Sequence, residues 1–302
     1  MSKLYNLQTL KLYGCVLLKA LPVGFQDLVN LCRLDIRETS LEEMPKGMSR
    51  LRKLQILSDF IVGKHDGNRI RELGPLADLH GTLCIKNLEN ITNGVEAWEA
   101  RMGEKKNIDV LDLNWSPDVD VADSLIERDV LDKLQPHNNL QELLHASFTR
   151  TDSFSEVLTD FRSCCLPSIG AEFYKNGESC WETPFPSLET LYFNRMSCWK
   201  EWHSIEQNAF PQLKELNISD CSVLAGNLPD HLPSLEKLTV IGCEQLACSL
   251  PRAPMLSQLS ILGSEKVRMQ ELPLSLCSLQ VGGSDLVESV MESISHSGLI
   301  WL

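Results

Sequence analysis

The sequence predicts an α/β repeat protein: a solenoid, or horseshoe, with short parallel strands on its concave face and irregular loops or helices on its convex face. Three observations point there. Leucine occupies 50 of 302 positions while Phe, Trp and Tyr together occupy 19, so the core draws on one favoured side chain. An apolar spacing, Leu-x-x-Leu-x-(Leu/Ile/Val/Phe), returns at intervals of 20 to 28 residues. Apolar content of 43% with 23% charged residues belongs to a packed chain, not a disordered one.

The first unit runs Leu7-x-x-Leu10-x-Leu12-x-x-Cys15 to Leu21-Pro22, and the second Leu31-x-x-Leu34-x-Ile36-x-x-Thr39 to Met44-Pro45. Leu10 and Leu34, Leu12 and Ile36, and Cys15 and Thr39 are each 24 apart, and Leu51-x-x-Leu54-x-x-Leu57 opens a third unit. Leu83-x-Ile85 and Leu111-x-Leu113 follow, 28 apart. Late in the chain Leu191-x-Phe193, Leu216-x-Ile218, Leu238-x-Val240, Leu259-x-Ile261 and Leu279-x-Val281 recur at spacings of 25, 22, 21 and 20. This is the signature of leucine-rich repeats.

The spacing has a direct cause. Alternation puts both apolar side chains of Leu-x-Leu on one face of a short strand and the residue between them on the other. One unit cannot bury that face alone, so neighbours stack into a parallel sheet backed by a continuous leucine core. Cys15, Cys221 and Cys243 stand where the chain bends away, as small buried side chains. The Leu-Pro and Met-Pro steps suit extended return segments, because proline disfavours helix in the residue before it.

Organisation along the chain follows. Residues 1–140 form an N-terminal repeat block with helices near 94–105 and 124–134. In the first helix Val95, Trp98 and Met102 share one face; in the second Leu125, Val130, Leu131 and Leu134 pack inward. Residues 144–180 are expected to break the array, with His145 at an apolar strand position and no repeat in Thr149–Ser155. Repeats resume over 181–283, then a short helix from Ser284 and an apolar end, Gly298–Leu302, close a stretch (284–302) expected of a truncated product.

Charge and cysteine usage narrow the function. A net charge of −13 argues against nucleic-acid binding, which depends on Lys and Arg. Residues 1–60 carry nine Lys/Arg against six Asp/Glu, and residues 87–135 carry five against twelve, a polarity suited to an intramolecular contact or a charged partner. Eleven cysteines without a CxxC pair make a disulfide framework unexpected, and no apolar run reaches membrane-spanning length. No secretory leader is visible, so a cytoplasmic location, or the nucleus, is expected. Cys164, Cys165, Cys180, Cys198 and His203 lack the paired spacing of a zinc site, and no nucleophile elbow appears, so no metal, no cofactor and no catalysis are expected.

Solvent-facing strand positions form the candidate recognition surface: Lys11, Tyr13, Asp35, Arg37, Asp112, Asn114, Tyr192, Asn194, Asn217 and Thr239. Their mixture of aromatic, charged and amide groups suits a protein partner, although any exposed strand face must be polar. Trp199 and Trp202 are read as packing between repeats in preference to interface anchors. Two glycosylation acceptors, Asn90-Ile-Thr92 and Asn217-Ile-Ser219, and one Leu224-Ala-Gly-Asn-Leu-Pro229 step leave an extracellular alternative.

Several ordered stretches resemble the repeat region of plant coiled-coil nucleotide-binding leucine-rich-repeat disease-resistance proteins: Leu4–Cys15, Leu28–Met48, Phe60-Ile-Val-Gly-Lys-His65, Leu79–Ile85, Leu88-Glu-Asn90, Leu111-x-Leu113-x-Trp115-Ser116, Leu134-Gln-Pro-His137, Pro184–Leu188, Met196-x-x-Trp199-x-x-Trp202 and Ala209-Phe-Pro211. The resemblance implies a non-catalytic module of an intracellular immune receptor. Such a module recognises a pathogen effector or a guarded host protein, and restrains a neighbouring ADP/ATP switch domain. That nucleotide belongs to a domain these residues do not contain: Gly63-Lys64 is no P-loop, since Ser58 stands where its first glycine would be. Gly170 runs directly into Ala171-Glu-Phe-Tyr174 where the family places a further repeat, which implies a deletion, a splice error or a frame slip. A free-standing scaffold or ligase adaptor, or a degenerate receptor fragment, would share these repeats.

Overall fold

The computed structural model describes residues 4–65, 68–115, 124–147, 168–169, 185–196, 199–203, 210–269, 272–284, 286–288 and 290–291. Its strands, in chain order, are β1 (Thr9–Lys11), β2 (Arg33–Asp35), β3 (Ile56–Leu57), β4 (Asp59–Ile61), β5 (His80–Lys86), β6 (Asn107–Trp115), β7 (Glu142–Ser147), β8 (Ser168–Ile169), β9 (Thr190–Asn194), β10 (Glu201–Trp202), β11 (Glu215–Ser219), β12 (Lys237–Ile241), β13 (Gln258–Leu262) and β14 (Ser278–Val281). All recorded pairings are parallel. Strands β1-β2-β3 form one sheet, β8 pairs with β10, and nine strands run β4-β5-β6-β7-β9-β11-β12-β13-β14.

The Leu-x-Leu spacing becomes two ladders behind that sheet. Leu83, Leu111, Leu143, Leu191, Leu216, Leu238, Leu259 and Leu279 align across eight strands. Phe60, Ile85, Leu113, His145, Phe193, Ile218, Val240, Ile261 and Val281 align beside them. Leu216 and Leu238 are wholly buried, and each such burial contributes about 2 kcal/mol. His145 holds the register position between Leu113 and Phe193.

The array is one piece on both sides of two irregularities. Strand β7 pairs with β6 and, in register over Glu142–Ala146, with β9, so β7 and β9 are neighbours in the sheet although 42 residues separate Ser147 from Thr190. The expected break therefore does not start at residue 144; most of 148–184 lies outside the described residues. The second irregularity is Ser58. Leu34 and Ile36 are buried two apart at β2, whereas Leu57, the register partner of Leu34, and Phe60 are buried three apart, so one extra residue bulges the chain here. The Ser58 hydroxyl accepts from Ile36 N at 2.9 Å and donates to Asp59 at 2.7 Å, joining the three-stranded sheet to the nine-stranded one.

Strand exits share a left-handed residue: Arg195, Asp220, Gly242 and Gly263 each follow the last strand residue with φ of 56°, 55°, 64° and 58°. Gly242 also lies where an added Cβ would meet the Asp220 carboxylate. The next residue turns inward, and Met196, Cys221, Cys243 and Ser264 are buried there. Ser264 Oγ accepts from Cys243 N at 3.0 Å and so ties neighbouring turns. Cys15 departs from expectation and is exposed, because β1 has a stacked neighbour on one side only.

The convex side carries 3-10 turns and two helices, α1 (Gly94–Trp98) and α2 (Ser124–Leu134). Asn93 caps α1 by accepting from Glu96 N at 3.0 Å. The packing face is not the expected one: Val95 and Trp98 are exposed, while Gly94, Ala97 and Ala100 are buried. Small residues let α2 approach closely, and Gly94 N donates to the Asp129 carboxylate at 2.6 Å. In α2, Val130, Leu131 and Leu134 are buried as expected; the Leu125 side chain lies outside the described residues. The buried Lys105 ammonium donates to the carbonyls of Leu73 (2.9 Å) and Leu76 (3.0 Å), and burial pulls its pKa down to about 8.

Trp199 and Trp202 are packed between repeats. Phe193 lies 4.8 Å from Trp199 and 5.4 Å from Trp202 between ring centroids, and Phe210 extends the stack. Past the last strand, residues 284, 286–288 and 290–291 are helical, with Leu286 and Val290 buried.

Candidate protein-recognition surface

The concave face consists of the strand positions that alternate with the two ladders. Its central column is Asp59, Cys84, Asp112, Leu144, Tyr192, Asn217, Thr239, Ser260 and Gln280, side by side across nine strands. Asp112, Tyr192, Asn217 and Thr239 from the sequence reading fall in this column. Asn194 lies in the next column outward, beside Ala146 and Ser219, and Asn114 pairs with Ala146. Lys11 and Asp35 are register partners on β1 and β2.

Tyr13 and Arg37 lie just past those two strands. Arg37 grips Asp35 through two hydrogen bonds (2.9 and 2.7 Å) and lies 5.5 Å over the Tyr13 ring. That guanidinium holds the Asp35 carboxyl below the usual carboxylate range, and Asp35 in turn raises Arg37. Tyr13 Oη donates to Glu38 at 2.8 Å, which pushes the phenol pKa up. Four of the candidate residues therefore meet at one end of the face. Two others offer little surface, since Thr239 is 8% exposed and Asn114 3%.

Three residues absent from the sequence reading complete the face. Asp59, 3% exposed, receives Lys86 Nζ at 2.6 Å. Cys84 lies between Asp59 and Asp112 in register and accepts from Asn114 Nδ2 at 3.1 Å. Burial pushes the Cys84 thiol up, with Asp112 adding to it, so it stays protonated. Burial would lower the Lys86 ammonium, but the Asp59 charge outweighs it and the net shift is upward. Burial raises the Asp112 carboxyl, only partly offset by the Asn114 amide and the Cys84 thiol against it. Cys84 occupies the middle of Leu83-x-Ile85, so the template itself places it on this face. Asp59 was hidden because Leu57 and Phe60 stand three apart, not two.

Other sequence signals resolve differently. Asn90 Nδ2 is engaged with Val62 O at 2.8 Å, and Asn217 accepts from Ser219 Oγ at 2.7 Å, so both sequon asparagines serve the fold's own hydrogen bonding. Among the described residues no three His, Cys, Asp or Glu side chains converge to hold a metal. Cys164, Cys165, Cys180 and Cys198 lie outside the described residues. Among the described residues no helix is long and apolar enough to cross a membrane.

Comparison with known proteins identifies these repeats. Residues 70–221, half of the chain, match the family described as R13L1/DRL21 leucine-rich repeats. The chain belongs to that family. The chain is 34% identical over 230 aligned residues to disease resistance RPP13-like protein 1 of Arabidopsis thaliana, covering 61% of this chain and 22% of that protein. A second Arabidopsis thaliana disease resistance protein is 32% identical over 240 residues, 66% of this chain and 17% of its own length. Disease resistance protein RGA4 of Solanum bulbocastanum is 28% identical over 318 aligned residues, 96% of this chain and 30% of its own length. The chain thus spans between 17% and 30% of the length of these relatives. The resemblance drawn from the motifs is correct at the level of the family, and the R13L1/DRL21 repeats are a parallel-stranded leucine-rich-repeat solenoid.

Proposed function

We propose that this chain is the non-catalytic, protein-binding repeat module of a plant intracellular immune receptor, with the concave face recognising a pathogen effector or a guarded host protein. The observation that carries the reading is the nine-stranded face itself: a continuous column running from acidic through apolar and aromatic to amide and hydroxyl side chains. Such a graded, rigid array suits a macromolecular partner. Family membership and relatives named for disease resistance support the defence role.

The same reading gives the first repeats a second task, restraint of a nucleotide switch domain that is released by population shift on binding. Lys11 and Arg33 are exposed in these repeats, and so are the apolar side chains of Leu17 and Val23. Arg37 contributes less, because Asp35 already engages its charge.

Two experiments test these roles. Affinity capture from infected leaf tissue compares the intact protein with a concave variant (Tyr192→Ala with Asn217→Arg) and a convex variant (Trp98→Ala). A specific effector or host protein retained by the intact and convex forms and lost by the concave form is the expected result. Equal retention by all three would refute the concave face. Capture of ubiquitin-ligase components in place of a defence protein would favour a ligase adaptor. For the restraint, Lys11→Glu with Arg33→Glu should weaken binding to a nucleotide-binding domain from the same receptor, and unchanged binding refutes it.

A further inference from the structure

We propose that Cys221 and Cys243 form a peroxide-sensitive dithiol: hydrogen peroxide converts them to a disulfide that clamps the turns after β11 and β12, and a dithiol reductant releases it. The site lies on the strand-exit turns and does not depend on what the concave face binds.

Register places the two residues side by side. Ser219 pairs with Ile241, and Asp220 N donates to Ile241 O at 2.8 Å, so the alignment of β11 with β12 continues into the turns. Cys221 and Cys243 each stand two residues past that pair, one strand spacing of about 4.8 Å apart. A disulfide needs Cα atoms about 4.4–6.8 Å apart, so the backbone already holds a bridgeable separation. The sulfurs converge as well. Cys221 Sγ lies 3.4 Å from Ser219 O, and Cys243 Sγ reaches across to β11, 3.7 Å from the adjacent carbonyl of Ile218. Both thiols are free and wholly buried, and Met196 and Ser264 hold the equivalent turn positions on either side.

A second observation makes the pair asymmetric. The Cys221 thiol donates a hydrogen bond to the Cys243 sulfur, which holds Cys243 below the ordinary thiol value and pushes Cys221 well above it. Cys243 is therefore the nucleophile and Cys221 the resolving thiol. The Cys243 thiolate attacks one oxygen of hydrogen peroxide: an S–O bond forms, the O–O bond breaks, and hydroxide leaves with the proton Cys243 gave up. Cys221 sulfur then attacks the sulfenic sulfur: the S–S bond forms, the S–O bond breaks, and the hydroxyl departs as water with the Cys221 proton. Two thiols and one peroxide thus give one disulfide and two waters. Complete burial restricts the oxidant to a molecule as small as peroxide, admitted by local opening of the turns. Buried Cys248 lies five residues beyond Cys243, engaged by the Leu228 backbone, and is the competing partner to exclude.

The test treats the folded full chain with excess hydrogen peroxide, alkylates the remaining thiols with N-ethylmaleimide in urea, and maps the peptides by mass spectrometry. Trypsin should release Glu215–Lys237 joined to Leu238–Arg252, and cleavage after Glu244 then separates Cys243 from Cys248. Dithiothreitol should undo the link, and oxidised glutathione, too bulky for the buried pair, should leave it reduced. The urea midpoint of the parent should rise by about 1 M on oxidation, for a closed loop of about 20 residues, and that of Cys243→Ser should not move. Ser264 fills the equivalent buried turn position, so Cys243→Ser is expected to fold, and its own urea transition reports this. Recovery of Cys221 and Cys243 as alkylated thiols, a link from Cys243 to Cys248, a midpoint unmoved by the link, or equal reaction with oxidised glutathione overturns the proposal.

Discussion

Replacing Lys86 by methionine isolates the pair that joins the bulge at Ser58 to the rest of the sheet. The variant leaves a carboxylate that is 3% exposed, still accepting from Ser58 Oγ at 2.7 Å but without its cation at 2.6 Å. Breaking a fully buried ion pair by removing one member costs about 3–5 kcal/mol. The Lys86 side chain is 39% exposed, so solvent screens part of the interaction and the expected cost falls to about 2 kcal/mol. Removing both charges, in Asp59→Asn with Lys86→Met, should cost less than the single change, because no buried charge is stranded.

Urea unfolding at pH 7, followed by far-ultraviolet circular dichroism, reads the effect. With a slope of about 3 kcal/mol per molar, the single variant should unfold about 0.7 M earlier than the parent. Its pH dependence follows from the upward shift of Lys86. The folded state holds that proton more tightly than the unfolded chain, whose value is 10.5, so the contribution is complete below pH 10.5 and is lost as pH rises through the folded value. A single variant as stable as the parent, or a double variant less stable than the single, would refute the reasoning.

Further outcomes follow from neighbouring features. Asp112→Asn should raise the melting temperature at pH 7 and leave it unchanged in acid; the folded carboxyl is raised by burial, so its ionisation opposes folding above that value and matters little below the unfolded one. Thermal melts at pH 3 and pH 7 check this, and equal effects at both would count against it. Lys105→Met should abolish a rise in stability that the parent shows between pH 8 and 10.5, where the unfolded chain alone keeps that proton; a matching rise in the variant would contradict the burial of this ammonium. Leu216→Ala, in the wholly buried ladder, should cost about 3–5 kcal/mol, while Asn217→Ala beside it should stay within about 0.5 kcal/mol, both measured by urea titration.

Much of this was legible from residue order. Leu191-x-Phe193, Leu216-x-Ile218 and Leu238-x-Val240 pair in the register their spacing implies, and Tyr192, Asn217 and Thr239 occupy one column between them. What misled was local context. Val95 and Trp98 fit an amphipathic stripe, yet α1 docks through Gly94 and Ala97 because close approach of α2 favours small side chains over large ones. Cys15 repeats the pattern of Cys221 and Cys243, but burial at that turn requires a stacked unit on both sides.

The sequence by itself determined the repeat, the direction in which each Leu-x-Leu faces, and the family, because a period-two alternation and a constant interval are properties of the chain alone. Tertiary structure decided the rest. It made β7 and β9 neighbours across the irregular stretch, and it turned the extra residue at Ser58 into a bulge that buries Asp59 beside Lys86. It also brought Asp59, Cys84, Asp112 and Asn114 together from three strands. Contacts between repeats depend on register across strands, and register is set by hydrogen bonding and packing between segments that are distant in sequence.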